Sequence, residues 1–320
     1  MSTLGIRKTI LFEKIIPSNI LDNATAIACS QKRLSLQDAL INNNLKQART
    51  YCEEYRVSFS NILDTLEKKR ANTVLLDQPQ FDWVWNSGSY MSSCWVWESL
   101  MTCAVSYDIF MASGMKSASA QDYKQASQYF HKAGEYVQTI IDKILPTWTW
   151  KEDASIHMTF EKFWESKVYF IYAMKDLCTI QHAINTEKGI SEANAIRLLK
   201  RMEGYNNQSL VKWFNSDNEA LMNWSRISRA LFKAKSLANN EEFGKAIGLV
   251  RAWEPLLDRL SEENHMNIIM ETLVESLKHI TDELSDWESS NSNVHFQEIE
   301  EVQLEEIEHL EEIKNKINSL

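Results

Sequence analysis

The stretch that decides the fold is Trp97–Ile144, which reads WESLMTCAVSYDIFMASGMKSASAQDYKQASQYFHKAGEYVQTIIDKI. Apolar residues recur at helical spacing on both sides of a small, polar break at Ser113–Gln121. The serines and the glycine of this break are typical of a helix end followed by a new helix start. The stretch therefore predicts an antiparallel pair of helices.

The second helix of this pair carries the packing pattern of a tetratricopeptide hairpin. Tyr123 is followed by Ala126, Phe130 and Ala133, in which small residues allow close helix approach and aromatic rings fill the gap. Gly114 stands where the first helix needs a small residue. The spacing recurs once more, at Ala234, Phe243, Ala246 and Val250. Two copies predict an irregular helical solenoid with tetratricopeptide-like hairpins in its middle, and chance agreement between two amphipathic hairpins is the alternative.

The composition favours one large helical domain. The chain has 320 residues with only 8 glycines and 4 prolines. So few of these residues are compatible with helices, whereas the many turns of a β-sandwich require more of them. Hydrophobic residues make up 44% of the chain, enough for a substantial core, and no linker rich in glycine, proline or serine separates two cores. We therefore predict an all-α fold in a single domain that spans residues 1–320.

Charge and cysteine usage restrict the kind of partner and the compartment. A formal net charge of −10 disfavours non-specific nucleic-acid binding and direct adhesion to anionic lipid, because both require a cationic surface. The five cysteines are odd in number and include no C-x-x-C, which indicates buried free thiols in a reducing compartment. There is no secretory signal and no long apolar span. These features predict a soluble cytoplasmic protein whose membrane association is at most peripheral and through partners.

The two ends of the chain differ from its helical middle. Gly5–Ile16 contains several β-branched residues, and we predict that it forms a short extended segment laid over the helices. Residues 297–320 are acidic, with apolar positions at helical spacing. We predict an acidic amphipathic helix there, whose apolar stripe packs on the domain or on a partner.

Sequence patterns for catalysis are largely missing. No GxSxG, HExxH, P-loop or Rossmann pattern occurs. Glu262-x-x-His265 and Glu306-x-x-His309 match the spacing of carboxylate-bridged metal bundles, but both lie in strongly polar stretches that are typical of solvated helix faces. A metal-dependent helical-bundle enzyme is therefore the less favoured alternative, and we expect no catalytic residues and no cofactor. A helical solenoid without a catalytic set usually offers a long groove to a peptide or helix.

Six stretches, in order along the chain, resemble the landmarks of the BRO-one domain of the Alix-type ESCRT-associated proteins. They are the N-terminal segment Gly5–Thr9, the helix Ala48–Tyr55, the F-x-W at Phe81–Trp83, the aromatic-Glu helix start at Trp97-Glu98, the A-x-x-x-F-x-x-A-x-x-Y helix at Ala126–Tyr136, and the closing stretch Asn291–Ile299. The resemblance extends over nearly the whole chain, which is shorter than is usual for this domain. His295 and Glu300 depart from the pattern, because they stand where the closing motif has tyrosine and proline.

The resemblance implies a banana-shaped α-solenoid with a tetratricopeptide-like core and no enzymatic activity. Such a domain binds the C-terminal amphipathic helix of an ESCRT-III subunit on its concave face, in endosomal sorting or membrane remodelling. Recruitment to endosomes is the corresponding expectation for localisation. A generic tetratricopeptide-like scaffold with another peptide ligand is the alternative.

The resemblance also implies a binding patch. Matching the family's V-x-F-x-x-A to Val168–Ala173 carries its binding aromatic onto Tyr169. Matching the next helix through Tyr205 carries a binding aliphatic residue onto Leu198, with Ile196 and Leu199 beside it. The alternative is that these residues simply pack the helix pair, since apolar helix positions are usually core.

Overall fold

Helices make up most of the described chain, as the sequence predicts. The computed structural model describes residues 5–69, 79–85, 88–147, 157–186, 189–204, 216–262, 275 and 277–301. None of the helices in these ranges has the length and apolarity needed to cross a bilayer. The prediction of an all-α fold with a short extended N-terminal segment is confirmed.

The regular elements follow one another with short connections. The helices are α1 (Phe12–Ile15), α2 (Asn23–Ile41), α3 (Leu45–Lys68), α4 (Trp95–Ser119), α5 (Tyr123–Thr139), α6 (Glu161–Ile184), α7 (Glu192–Gly204), α8 (Ser216–Asn239), α9 (Phe243–Glu262) and α10 (Leu284–Ser290). The strands are β1 (Gly5–Ile6), β2 (Phe81–Trp85) and β3 (Gly88–Ser92).

The chain divides into two compact units. The first comprises Met1–Gly114 and Gln128–Val168, and the second comprises Met115–Ser127 and Tyr169–Leu320. Helices α4, α5 and α6 therefore each contribute residues to both units. The single domain over residues 1–320 and the curved overall shape remain predictions.

Three helix pairs are joined by the same turn. Gln121, which lies between α4 and α5, has a left-handed backbone with φ of 59°, and its N–H donates to the Ala118 carbonyl at 2.9 Å. Glu241, between α8 and α9, repeats this arrangement with φ of 63°, and Asn43, between α2 and α3, does so with φ of 50°. In each turn the next N–H reaches back five residues, which satisfies two carbonyls at the helix end. The two predicted hairpins are therefore confirmed, and the pair α2–α3 is a third with the same turn.

The predicted break at Ser113–Gln121 is shorter than the sequence suggests. Helix α4 continues to Ser119, and the Ser113 hydroxyl donates to the Ile109 carbonyl at 2.8 Å within the helix. Gly114 does not end the helix, but lies against the fully buried ring of Phe130. A Cβ added at Gly114 would be 2.6 Å from the nearest ring carbon. The glycine is therefore a packing residue, as the tetratricopeptide pattern predicts.

The first unit contains a small antiparallel sheet in the order β1-β2-β3. Gly5 pairs with Val84 and Ile6 with Trp83, so the N-terminal segment is the outer strand beside β2. Side chains alternate along β2, and its three aromatic residues are the buried ones. The stretch that contains the F-x-W is thus a strand that covers the helices with its aromatic face.

A network of polar side chains is buried beneath this sheet. Glu98, at the start of α4, accepts hydrogen bonds from Arg33 Nε, Tyr55 Oη and Trp83 Nε1. Arg33 also donates to the carbonyl of Lys8 at 2.6 Å. The network therefore ties α2, α3, β2, α4 and the N-terminal segment together. Burial raises the pKa of the Tyr55 hydroxyl well above its usual value, with Glu98 adding to the effect, so Tyr55 is a permanent donor.

The end of the described chain does not form the helix that the sequence predicts from residue 297. Residues 297–301 are non-helical, and 302–320 lie outside the described residues. The Gln297 side chain accepts from Gly244 N at 3.0 Å and donates to the Glu241 carbonyl at 2.6 Å. Its main chain makes two further hydrogen bonds with the Asn291 side chain, each of 2.8 Å. The two side-chain bonds hold the segment at the start of α9, and the bond from Asn291 occupies the Gln297 carbonyl that a helix starting here would use.

Candidate peptide-binding groove

Helix α6 carries the predicted aromatic residue on a partly exposed side. Tyr169 is half-buried, and Tyr172 is 42% exposed, with Lys175 Nζ 5.9 Å from its ring centroid. Asp176 follows at the spacing i, i+3, i+7, which places all three on one side of the helix. The opposite side is buried through Ile171, Met174, Leu177 and Cys178. Tyr172 was missed in the sequence, because an aromatic residue in a long apolar helix is more often core.

Helix α7 lies between α6 and α8, and two ion pairs show which side faces which neighbour. Arg201 donates through Nε to Asp176 of α6 at 2.7 Å, and its Nη2 bonds the second carboxylate oxygen. Glu203 accepts from Arg229 Nε of α8 at 2.7 Å. The carboxylate of Asp176 is 8% exposed whereas Arg201 is 56% exposed, so the first pair borders solvent.

These pairs divide the predicted residues of α7 among three directions. Leu198 lies one turn before Arg201 and therefore shares the side that faces α6. Ile196 lies two turns before Glu203 and shares the side that faces α8. Leu199 lies between the two and is completely buried, together with Ala195 and Met202. The four predicted residues therefore do not form one continuous patch, and Leu199 is a core residue of the second unit.

Tyr169 and Leu198 lie on adjacent helices but not side by side. The Asp176–Arg201 contact is eight residues before the end of α6 and nine after the start of α7, so the helices run antiparallel. Tyr169 lies seven residues before Asp176, and Leu198 lies three before Arg201, toward the other end of the pair. At 1.5 Å per residue the two side chains are about 15 Å apart along the groove. We name this surface the α6–α7 groove, lined by Tyr169, Tyr172, Asp176, Leu198 and Arg201.

The groove combines apolar anchors with a charged pair and carries no catalytic set. A ligand about three helical turns long would span the distance from Tyr169 to Leu198. Burial raises the pKa of the Cys178 thiol on α6 to about 12, so this thiol is not a nucleophile. In the described part of the chain, no group of three or more potential metal ligands comes together. His265, His309 and Glu306 lie outside the described residues, so the two E-x-x-H patterns are not placed by the structure.

The described chain is thus an all-α protein built from helix pairs with tetratricopeptide-like packing. Neither a protein-family sequence model nor a curated protein matches it. Several solved structures do match the chain. A complex of the ALIX BRO1 domain with CHMP4C superposes with a TM-score of 0.70 at 10% identity, covering 93% of this chain and 88% of that one. The chain therefore has the fold of the BRO1 (BRO-one) domain.

Two further structures support the same fold. ALIX in complex with the SIVmac239 PYKEVTEDL late domain matches with a TM-score of 0.70 at 10% identity, over 93% of this chain and 45% of that one. A structure described as the basis for endosomal targeting by the Bro1 domain matches with a TM-score of 0.66 at 10% identity, over 100% of this chain and 96% of that one. The resemblance inferred from six short stretches is confirmed at the level of the fold.

Proposed function

We propose that this chain is a non-enzymatic adaptor of the ESCRT system, and that its α6–α7 groove binds the C-terminal amphipathic helix of an ESCRT-III subunit. The observation that carries the proposal is the fold shared with the ALIX BRO1 domain, which has been solved with CHMP4C. Because one BRO1 structure matches 93% of this chain, we also propose that residues 1–320 act as a single BRO1-like domain. Endosomal recruitment would then follow from the partner.

The groove has the chemistry that an amphipathic helix requires. Half-buried Tyr169 and Leu198 and the exposed Tyr172 provide apolar contacts, which lie within the length of about three ligand turns. Arg201 is more than half exposed although it is paired with Asp176, so it can also meet a ligand carboxylate at the rim. Ile196 faces the other neighbouring helix, and we leave it outside the proposed contact.

A pull-down with immobilised peptides tests this proposal against a generic scaffold. The peptides are the C-terminal helices of ESCRT-III subunits, each with a version whose apolar positions are changed to serine. We expect retention of the purified chain on at least one native peptide and on no serine version. A chain that no native peptide retains at high micromolar concentration would favour a tetratricopeptide-like scaffold with another ligand.

A further inference from the structure

A second surface, in the first unit, contains an arginine whose charge has no partner in the described chain. Arg49 of α3 lies over two rings, with Cζ 5.4 Å from the centroid of Tyr129 and 5.9 Å from that of Phe110. No described residue forms an ion pair or a side-chain hydrogen bond with it, and its side chain is half-buried. Two aromatic faces therefore hold the guanidinium in place while its N–H edges remain available.

The surface around Arg49 is a continuous row of arginines and aromatic rings. Phe110 stacks on Tyr136 with centroids 5.6 Å apart and an interplanar angle of 24°. Arg56 lies over the Tyr136 ring at 5.8 Å, and the Tyr136 hydroxyl donates to Glu53 at 2.5 Å. We name this surface the arginine–aromatic seam. It consists of Arg49, Glu53, Arg56, Phe110, Tyr129 and Tyr136.

The two arginines of the seam differ in one respect that points to a ligand. Glu53 accepts from Arg56 through both nitrogens, Nε at 3.3 Å and Nη2 at 2.7 Å, so the charge of Arg56 is neutralised within the protein. The charge of Arg49 is not, although it sits on the same side of α3 two turns earlier. A preorganised guanidinium fork with no internal acceptor matches a carboxylate in geometry and in charge.

The surroundings select an acidic peptide over other anions. Leu45 is half-buried and lies one helical turn before Arg49 on the same side of α3. An apolar residue one turn from the arginine suits a peptide that offers an aliphatic side chain next to its carboxylate. An anionic membrane is disfavoured, because its extended negative surface would face the net charge of −10 of the whole chain, whereas a peptide carboxylate needs only the local charge of Arg49.

We propose that the arginine–aromatic seam binds an acidic amphipathic segment of a partner protein, with a ligand carboxylate on Arg49. This site belongs to the first unit and does not depend on the α6–α7 groove. Arg56, which is half-buried and stacked on an aromatic ring like Arg49 but already paired, provides a matched control.

Fluorescence anisotropy on the full chain tests the proposal. The probe is a labelled helical peptide with leucine at i, i+3, i+4 and i+7 and glutamate at the flanking positions, and its control has glutamine in place of glutamate. We expect the Kd for the acidic probe to rise at least ten-fold in Arg49→Ala and about three-fold in Arg49→Lys, which keeps the charge but loses the planar fork. Arg56→Ala should change it less than three-fold.

Each alternative outcome contradicts the proposal. A wild-type chain that binds the glutamine peptide as tightly as the acidic one would show that no carboxylate is recognised. Equal losses in Arg49→Ala and Arg56→Ala would show a general effect of positive charge, and binding to vesicles of anionic phospholipid in place of the peptide would show a membrane surface. If Arg49→Ala does not fold, Arg49→Lys decides, because unchanged affinity in that variant would exclude the fork.

Discussion

Arg33 and Glu98 form an ion pair that is closed to solvent. Arg33 Nε lies 2.9 Å from Glu98 Oε1, and the two side chains are 1% and 0% exposed. The guanidinium also lies 5.6 Å from the centroid of the Trp83 ring. Moving both charges out of water is costly, so the pair is maintained by the hydrogen bonds that Tyr55 and Trp83 add to the carboxylate.

Replacing Glu98 by glutamine should destabilise the first unit strongly. The substitution keeps the shape of the side chain but leaves the Arg33 charge buried without a counter-charge, which typically costs about 3–5 kcal/mol. Urea unfolding followed by far-UV circular dichroism measures the loss. Glu53→Gln is the control, because Glu53 and its partner Arg56 are 47% and 35% exposed, respectively. Such an exposed ion pair should contribute no more than about 1 kcal/mol to the free energy of unfolding. Equal losses in the two variants would mean that Glu98 does not hold the network.

The buried network explains why short stretches predicted the fold. The F-x-W stretch supplies Trp83 and the aromatic-Glu start supplies Glu98, and these distant residues meet at 2.6 Å. The third hairpin, α2–α3, was not predicted, because it has a large residue where the tetratricopeptide pattern has a small one, and a small residue where the pattern has an aromatic. The turn residues Asn43 and Gln121 are 78 residues apart. When the two hairpins are aligned on these turns, Leu36 stands at the position of Gly114, and Cys52 stands at the position of Phe130. Both Leu36 and Cys52 are buried, but a search for small residues followed by aromatics misses them.

The candidate groove could be predicted only in part. Helical spacing located apolar residues on α6 and α7, but it does not say which neighbouring helix each one faces. Only the contacts of Arg201 and Glu203 with different helices show that Leu198 and Ile196 diverge. The predicted C-terminal helix is wrong for residues 297–301 for another reason. An acidic amphipathic pattern predicts a helix, but side-chain bonds from Gln297 to Gly244 and Glu241, at the start of α9, hold these five residues in another conformation. The prediction for residues 302–320 stays a prediction.

A Gly248→Ala substitution should release residues 297–301 from α9. Alanine in a helix interior is normally about 1 kcal/mol better than glycine. A Cβ at Gly248 would, however, overlap the carbonyl oxygen of Glu300, as one at Gly244 would overlap that of Glu298. We expect faster hydrogen exchange at Gln297, whose N–H donates to Asn291 in the wild type.

Gly204→Ala is the control for this release. Nothing lies within 4 Å of a Cβ added at Gly204, so the variant should leave exchange at Gln297 unchanged. If Gly248→Ala raises stability as an ordinary helix substitution does, with wild-type exchange at residues 297–301, the close packing of this segment on α9 is wrong.

Thiol reactivity should separate one cysteine from the other four. Burial raises the pKa values of Cys29, Cys52, Cys103 and Cys178 to about 12, so these thiols stay protonated at pH 8. Cys94 is half-exposed. An aromatic disulfide reagent should therefore modify one thiol quickly in the native chain and all five after unfolding. Rapid modification of two or more native thiols would contradict the burial.

The same thiols make the fold sensitive to alkali. Their ordinary pKa is 9.0, so between pH 9 and 12 the unfolded chain loses protons that the folded chain retains. The unfolded state then binds fewer protons, and the free energy of unfolding falls as pH rises through this window. Replacing Cys178 by alanine should make the fall less steep in urea titrations at pH 8 and pH 10. An unchanged pH dependence in this variant would show that Cys178 does not contribute.

The most direct test of the proposed function is the Kd of an ESCRT-III C-terminal helix for Leu198→Asp compared with Ile196→Asp. Both variants place one carboxylate at a half-buried position of α7, but only Leu198 faces the α6–α7 groove. With isothermal titration calorimetry, we expect Leu198→Asp and Tyr169→Asp each to weaken binding by about 2 kcal/mol, roughly 30-fold, while Ile196→Asp stays near wild type and all three keep wild-type circular dichroism. Wild-type affinity in Leu198→Asp, or equal losses in Leu198→Asp and Ile196→Asp, would contradict binding in this groove.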